Sequence, residues 1–169
     1  MKKIIIGCGI LLVIGIGFVF LLFYIFSKPK FKDVTKQKPF AEISNKTLST
    51  KKRTSILMYP GIPIKENYKY HLEDGSSFGM DSDLEEIVSI PIGAEVTIDN
   101  VELHTGRVSG TTTAYLFGKI YDKGTATEYP FQYSWGDYHS LYEDNPYWTF
   151  ELAFWQELPL TQKYYIDLP

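Results

Sequence analysis

The chain has 169 residues, a net charge of −3 and 16% aromatic residues, which suits one folded domain with an appended segment. Its single cysteine, Cys8, excludes a disulfide or a cysteine-rich metal site within these residues. Residues 54–169 hold six basic and eighteen acidic residues, a local charge of −12. This balance argues against nucleic-acid binding, which needs a basic face.

The N-terminal segment, residues 1–27, predicts a single transmembrane anchor. Ile4–Phe26 reads IIIGCGILLVIGIGFVFLLFYIF and contains no charged residue. At about 1.5 Å rise per residue it spans roughly 34 Å, enough for a hydrocarbon core of about 30 Å. The lipid bilayer is therefore the expected partner of residues 4–26.

Two processing alternatives stay open for this segment. A cleaved signal peptide has a shorter apolar stretch, of about 7–15 residues, and a small-residue cleavage site, which the sequence after Phe26 does not offer. Ile5-Ile6-Gly7-Cys8 superficially resembles a lipoprotein lipobox, but the apolar stretch follows the cysteine instead of preceding it. An uncleaved signal anchor fits the pattern best.

The orientation of the anchor depends on which charges decide it. A short N-terminus with Lys2 and Lys3 favours a cytoplasmic start, so we predict a cell-membrane protein with an extracytoplasmic C-terminal domain. The lysines that follow the span outnumber these two, and the positive-inside rule alone favours the opposite orientation.

Residues 28–53 are strongly basic, with nine Lys or Arg against Asp33 and Glu42. Their few apolar residues show no sustained period, which predicts a basic stalk that is either a flexible linker or a loosely ordered lead-in to the domain. Alternatively, its lysines could lie against anionic lipid headgroups.

Residues 54–169 predict an acidic, all-β domain, because short apolar runs alternate with turn residues from Thr54 onward. The predicted strands cover 55–59, 68–72, 95–103, 112–121, 128–135, 148–155 and 163–168, with one helical turn at 83–87. Regularly spaced short strands of this kind indicate a small barrel or sandwich.

The strand at 95–103 changes phase. Val96 and Ile98 have the opposite parity from Val101 and Leu103, which predicts a β-bulge or tight bend between them at 99–100.

Two later strands carry further detail. Strand 112–121 is largely apolar on both faces, so both faces should be covered, and Gly118 predicts a bend or a close backbone approach. The alternating aromatic residues of 128–135 favour a core face over a stacking surface for a sugar or peptide, and Pro130 favours an edge position.

The stretch from Ile92 to Ile98, IGAEVTI, is similar to the glycine-then-strand entry of bacterial SH3-like barrel modules. The resemblance covers about residues 90–136 and rests on strand spacing. It implies a small SH3-like barrel, a fold whose members in bacterial envelopes often bind peptides or cell-wall material, and it carries over no binding residue.

A histidine before a hydroxyl-rich turn raises the question of a catalytic serine. His104 precedes Ser109 in HTGRVSGTTT, but no G-x-S-x-G elbow is present, and a serine nucleophile needs a base within hydrogen-bond reach. If 95–104 and 112–121 pair as a hairpin, residues 105–111 form its loop, and turn chemistry explains them. We therefore predict no catalytic residue and no enzyme, with a hydrolase as the least favoured alternative.

Residues 73–86 hold six carboxylates that could bind a cation. An EF-hand loop starting at Asp81 fails, because Glu86 and Ile92 stand where glycine and glutamate belong, so a solvated acidic loop is the expectation. The three histidines lack zinc-site spacing, and no phosphate loop or dinucleotide fingerprint occurs. We predict no metal and no cofactor.

The loop at 136–148, GDYHSLYEDNPYW, combines tyrosines with carboxylates, a composition that suits a recognition surface. The candidate partner surface consists of Tyr138, His139, Tyr142, Glu143, Asp144 and Tyr147. We predict a membrane-anchored, non-enzymatic β-domain that binds a protein or peptide partner at the bacterial cell envelope. The alternative is an immunity-type protein whose acidic domain neutralises a basic toxin through electrostatic steering.

Overall fold

The computed structural model describes residues 13–24, 28, 30–58, 61, 63–74, 85–107 and 109–169. Within these residues the protein belongs to the all-β class. The strands are β1 (Lys30–Asp33), β2 (Thr47–Ser49), β3 (Thr54–Met58), β4 (Tyr70–Glu73), β5 (Glu85–Ile90), β6 (Glu95–Thr105), β7 (Thr112–Asp122), β8 (Thr127–Ser134), β9 (Asp137–His139) and β10 (Tyr147–Thr149). A short 3-10 helix, Phe40–Glu42, lies between β1 and β2.

Eight of these strands form one sheet. Its order is β1-β6-β7-β8-β4-β3-β5, and β2 pairs with β6 on the same edge as β1. Only β4 and β8 run parallel, through Tyr70↔Phe131 and His71↔Gln132. The remaining two strands, β9 and β10, form a separate antiparallel hairpin.

Thr50 fixes the bend that carries the chain from β2 to β3. Its backbone N–H donates to the carbonyl oxygen of Ala94 at 3.0 Å, and its carbonyl accepts from the N–H of Gly93 at 2.9 Å. Its buried hydroxyl donates to the carbonyl oxygen of Pro91 at 2.8 Å and accepts from the N–H of Ala94 at 3.0 Å. The strand pairings run from β2 through β6, β7, β8 and β4 to β3. Residues 50–53 connect the first and last strands of this path, and the hydrogen bonds of Thr50 hold that connection in place.

The β-bulge predicted in the long strand is confirmed. The register between β6 and β7 shifts between Ile98 and Asn100. The extra residue reverses the side-chain alternation, so Ile98, Val96, Val101 and Leu103 are all fully buried. The two opposite parities in the sequence therefore belong to one core face.

The strand predicted over 112–121 corresponds to β7, which is covered in its middle on both faces. Its inward side chains are fully buried, and on the other face Phe117 is also fully buried, with the ring of Tyr68 centred 5.2 Å away. Further along the same outer face Tyr121 is exposed. The prediction that both faces are covered therefore holds around Phe117 and fails at the end of the strand.

The close backbone approach predicted at Gly118 is confirmed. Gly118 pairs with Ile98 beside the bulge, and a Cβ at this position would collide with the carbonyl oxygen of Thr97. A larger residue here would push β6 and β7 apart.

The predicted flexible linker over residues 28–53 is wrong for residues 30–53. Both β1 and β2 pair with β6, and Val34 and Phe40 are buried in the core. The ring of Phe40 packs edge-on against Trp135 and Phe150, with centroids 6.0 and 5.4 Å apart. The strands of this segment have only three or four residues each, so the sequence shows no sustained period although the segment is ordered.

Two other predicted elements differ in the structure. Residues 85–87 of the predicted helical turn belong to β5, and residues 83 and 84 lie outside the described residues. Strand 148–155 is found only as Tyr147–Thr149, and 163–168 is reduced to a single bridge between Trp148 and Tyr164. The aromatic residues after Thr149 are buried without a strand ladder, because they fill the core from a loop.

Pro130 lies in a strand that has neighbours on both sides. It pairs with Lys119 of β7, whereas β4 reaches only Phe131 and Gln132 of β8. The predicted edge position is therefore wrong for the strand as a whole, although Pro130 itself lies outside the contact with β4.

Residues 13–24 of the predicted anchor form a helix with exposed side chains, while residues 4–12, 25 and 26 lie outside the described residues. Among the residues that the structure describes, no helical stretch has both the length and the apolar character needed to span a bilayer.

Candidate partner-binding site

The hairpin of β9 and β10 is attached firmly to the core. Tyr138 pairs with Trp148, whose indole is fully buried, and the two rings are centred 5.2 Å apart. Trp148 also exchanges two backbone hydrogen bonds with Tyr164, at 2.8 and 3.0 Å. The base of the hairpin is therefore held between the core and the C-terminal segment.

Gly136 forms the joint between β8 and this hairpin. Its φ of 105° lies in the region that favours glycine. A Cβ at this position would also meet a ring carbon of Phe150 at 2.5 Å. The direction in which the hairpin leaves the sheet therefore depends on a glycine.

The outer face of the hairpin carries a stack of rings. His139 lies on Tyr147, with centroids 4.9 Å apart and planes inclined by 22°. A ring nitrogen of His139 is hydrogen-bonded to the Thr149 hydroxyl at 2.8 Å. The ammonium of Lys163 lies 3.7 Å from the centre of the Tyr147 ring, a cation–π contact. These contacts hold the outer face in one arrangement.

The tip of the hairpin exposes two large apolar side chains. Leu141 is 76% exposed and Tyr142 is 97% exposed, and Glu143 and Asp144 beside them are exposed as well. Tyr142 has a φ of 63°, in the left-handed region that costs a non-glycine residue about 1 kcal/mol or more. Such strained positions cluster at binding and catalytic sites.

The six residues predicted as a partner surface lie on this one hairpin, but they differ in role. Tyr142, Glu143 and Asp144 lie at the exposed tip, and the rings of His139 and Tyr147 form the stack on the outer face. Tyr138 instead packs on Trp148 and supports the hairpin from within.

Sequence reasoning missed two residues of this surface: Leu141 and Lys163. Leu141 could have been found, because it is an isolated leucine in a polar loop. Lys163 comes from the C-terminal segment, whose position follows from the single bridge at Tyr164 and has no sequence pattern.

A cleft of about 760 Å³ lies beside the hairpin and is acidic. Glu73, Asp137 and Glu151 line it, together with Lys52 and Asp74, which form an ion pair at 2.8 Å. The carboxylates therefore outnumber the one lysine in the lining.

Tyr133 joins the ion pair in this cleft. Its hydroxyl donates to Asp74 at 2.9 Å. Burial, reinforced by the charge of Asp74, raises the pKa of Tyr133 well above its usual range, so the phenol stays protonated. The cleft thus presents negative charge and a fixed hydroxyl donor.

A second polar cluster lies on the outer face of β6. Glu102 accepts from the ammonium of Lys65 at 2.6 Å and lies 3.2 Å from Nε2 of His104. Burial lowers the pKa of His104, and the neighbouring Glu102 opposes part of this effect. The pKa of Glu102 is lowered overall, because the contacts from Lys65 and His104 outweigh the effect of burial.

His104 and Ser109 line the same cleft at the turn between β6 and β7, but they are not hydrogen-bonded as base and nucleophile. β6 ends at Thr105 and β7 begins at Thr112, which confirms the predicted hairpin. The Ser109 hydroxyl accepts from the N–H of Thr111 at 3.2 Å, and no hydrogen bond joins Ser109 to His104 in the described part of the chain.

The acidic segment at 73–86 lies mostly outside the described residues, which include only 73, 74, 85 and 86 of it. Among the residues described, no group of three or more His, Cys, Asp or Glu side chains is arranged to hold a metal ion.

Comparison with known proteins finds no family model that matches, no similar curated protein and no matching solved structure.

Proposed function

We propose that this protein is a single-pass membrane protein whose all-β domain binds a protein or peptide partner at the bacterial cell envelope. The uncharged stretch of Ile4–Phe26 supports the anchor, and Lys2 and Lys3 before this stretch support an extracytoplasmic domain. The proposed contact surface is the tip and outer face of the β9–β10 hairpin.

The exposed tip carries this proposal. Leu141 and Tyr142 present apolar area to solvent on a hairpin whose base is fixed by Trp148. A preorganised base lowers the entropy cost of binding, and a central tyrosine is a common hot spot in protein interfaces. The carboxylates at the tip, Glu143 and Asp144, add a preference for a basic surface around the apolar contact.

The path of strand pairings from β2 to β3, whose two ends are joined by the chain itself, supports a small barrel as the finer description of the fold. Residues 50–53 link the two ends of this path in the manner of a kinked strand that closes an SH3-like barrel. We propose this architecture for the domain.

A non-enzymatic role is proposed over a hydrolase, because no hydrogen bond joins Ser109 to His104 among the described residues. The Ser109 hydroxyl instead accepts from the N–H of Thr111 in its own turn.

The test is capture of partners by the full chain after crosslinking in membranes. Replacing both tip residues, Leu141→Ser with Tyr142→Ser, should remove the captured partner and change the free energy of unfolding by less than about 0.5 kcal/mol, as is usual for exposed positions. Leu158→Ser is the matched control, since Leu158 is 78% exposed outside the hairpin. Equal capture by the tip variant and the control would refute the proposed surface.

An immunity-type protein is the second candidate, and the acidic cleft favours it. Its excess of carboxylates around Lys52 suits the basic active-site surface of a toxin. Rescue of cells from a toxin encoded nearby would support this function. Loss of binding at high salt would fit contact through the cleft, whereas salt-resistant binding would favour the apolar tip.

A further inference from the structure

The first strand begins very close to the predicted end of the membrane span. Four Cα steps lead from Phe26 to Lys30, which reach at most about 14 Å. The polar layer outside the hydrocarbon core is itself about 6 Å thick on each side. Since β1 pairs with the sheet from Lys30 onward, no long stalk separates the folded domain from the bilayer.

The register of β1 determines which part of the sheet is nearest. Lys30 pairs with Thr105, the last residue of β6, so the turn between β6 and β7 begins about one strand spacing, roughly 5 Å, from Lys30. The opposite turn, between β7 and β8, lies at the other end of the 11 residues of β7, roughly 33 Å away along the strand.

The near end carries exposed basic and aromatic side chains. Lys28, Lys30 and Arg107 are exposed, and Phe31 is 55% exposed. The ring of Phe31 packs edge-to-face with that of His104, with the ring centroids 4.3 Å apart. This combination of lysine, arginine and an aromatic ring suits the headgroup layer of a membrane.

One further feature of this end fits the same environment. The Lys28 ammonium lies 4.8 Å from the centre of the Tyr24 ring, a tyrosine near the predicted interface. Two carboxylates are also near. Asp33 accepts from the N–H of Thr35 at 2.8 Å, and Asp167 follows the C-terminal segment, where its carbonyl oxygen accepts from Lys32 at 2.7 Å. We call Lys28, Lys30, Phe31 and Arg107 the basic rim. Its three positive charges outnumber the negative charges of Asp33 and Asp167.

We propose that the basic rim docks on anionic phospholipid headgroups and holds the domain upright on the membrane. The inference rests on the proposed function, because it needs the anchor. It adds a second membrane contact through Arg107 in the β6–β7 turn, about 80 residues after the span. The turn at 123–126 then points away from the bilayer.

The test uses the full chain with Cys8→Ser, reconstituted in vesicles of neutral lipid or of neutral and anionic lipid. A fluorophore is attached at Ser109→Cys in the near turn or, as a matched control, at Lys123→Cys in the far turn. Both positions are exposed, and they lie in the turns at the two opposite ends of β7. Spin-labelled headgroups then quench whichever fluorophore lies at the membrane surface.

We expect strong quenching at position 109, more in anionic than in neutral vesicles, and little at position 123. Arg107→Gln should lower the ratio of docked to lifted domains about fivefold, the equivalent of about 1 kcal/mol per basic residue at an anionic surface. Lys123→Gln should leave this ratio unchanged.

The two failures are distinguishable. If the protein floats with the vesicles and positions 109 and 123 are quenched equally or not at all, docking is refuted and the anchor stands. If the protein does not float with the vesicles, the anchor is refuted and the docked arrangement with it.

Discussion

At the scale of single residues, Thr50 holds the bend between β2 and β3 through its side chain. It is buried, and its hydroxyl alone satisfies both the carbonyl of Pro91 and the N–H of Ala94. A buried polar group left without its partner costs about 1–3 kcal/mol.

Thr50→Val keeps the shape of the side chain and removes both hydrogen bonds, so the free energy of unfolding should fall by about 2 kcal/mol or more. Thr50→Ser keeps the hydroxyl and should cost only about 1 kcal/mol for the lost methyl group. Urea unfolding followed by tryptophan fluorescence measures both. Equal losses for the two variants would show that the hydroxyl does not hold the bend.

The histidines make the stability depend on pH. Burial lowers the pKa of both His71 and His104, so the unfolded state binds more protons than the folded state as the pH falls below the ordinary value of 6.5. The free energy of unfolding should therefore decrease from about pH 6.5 downward, by at most about 1.4 kcal/mol per pH unit for each histidine.

His104→Gln should remove the part of this decrease that is due to His104. The double variant, His71→Gln with His104→Gln, should remove most of the decrease in the free energy of unfolding above about pH 5. Unfolding curves across this range measure the slope. An unchanged slope in the double variant would assign the pH dependence to other groups.

At the scale of elements, the long central strands could be predicted from the sequence and the outer ones could not. β6 and β7 show alternation over many residues, and even the bulge near Asn100 left a visible change of parity. β1 and β2 are three or four residues long, too short for a pattern, and their basic residues suggested a solvated tether.

For the C-terminal aromatic residues, the sequence predicts a longer strand than the structure has. Residues 148–155 alternate like a strand, but β10 ends at Thr149 and the aromatic residues after it fill the core from a loop. Periodicity reports which side chains are buried, and it does not report whether a neighbouring strand is available.

The ordered 30–53 segment leads to a prediction about fragments. A fragment of residues 54–169 lacks β1, β2, Thr50 and the buried Phe40, and loss of a buried phenylalanine alone costs about 3–5 kcal/mol. Because a domain has only about 5–15 kcal/mol of stability, this fragment should not fold, whereas residues 28–169 should. Amide NMR spectra report the difference. A dispersed spectrum from 54–169 would show that this fragment folds alone and that residues 30–53 act only as a linker.

At the scale of the whole molecule, the candidate site was only partly readable from the sequence. Composition predicted a recognition surface in the loop around Tyr142, because this loop contains both tyrosines and carboxylates. The contribution of Lys163 depends on how the C-terminal segment crosses β10, which no local pattern encodes.

The proposed orientation in the membrane would decide which partners the domain can reach. A reporter enzyme active only outside the cytoplasm, fused after Pro169, should be active if the short N-terminus with Lys2 and Lys3 stays inside. A reporter active only in the cytoplasm should be silent at the same position. The reverse result would show that the lysines after the span set the orientation.

The tip of the β9–β10 hairpin is the proposed contact surface for a partner. The most direct measurement is site-specific photo-crosslinking in intact membranes, with the reactive group placed at Tyr142 or, for comparison, at Lys123 in the far turn. Both side chains are exposed, so both positions can react if a partner is near. We predict one discrete crosslinked species from position 142 and none from position 123. Crosslinks at position 123 with none at position 142 would contradict the proposed site.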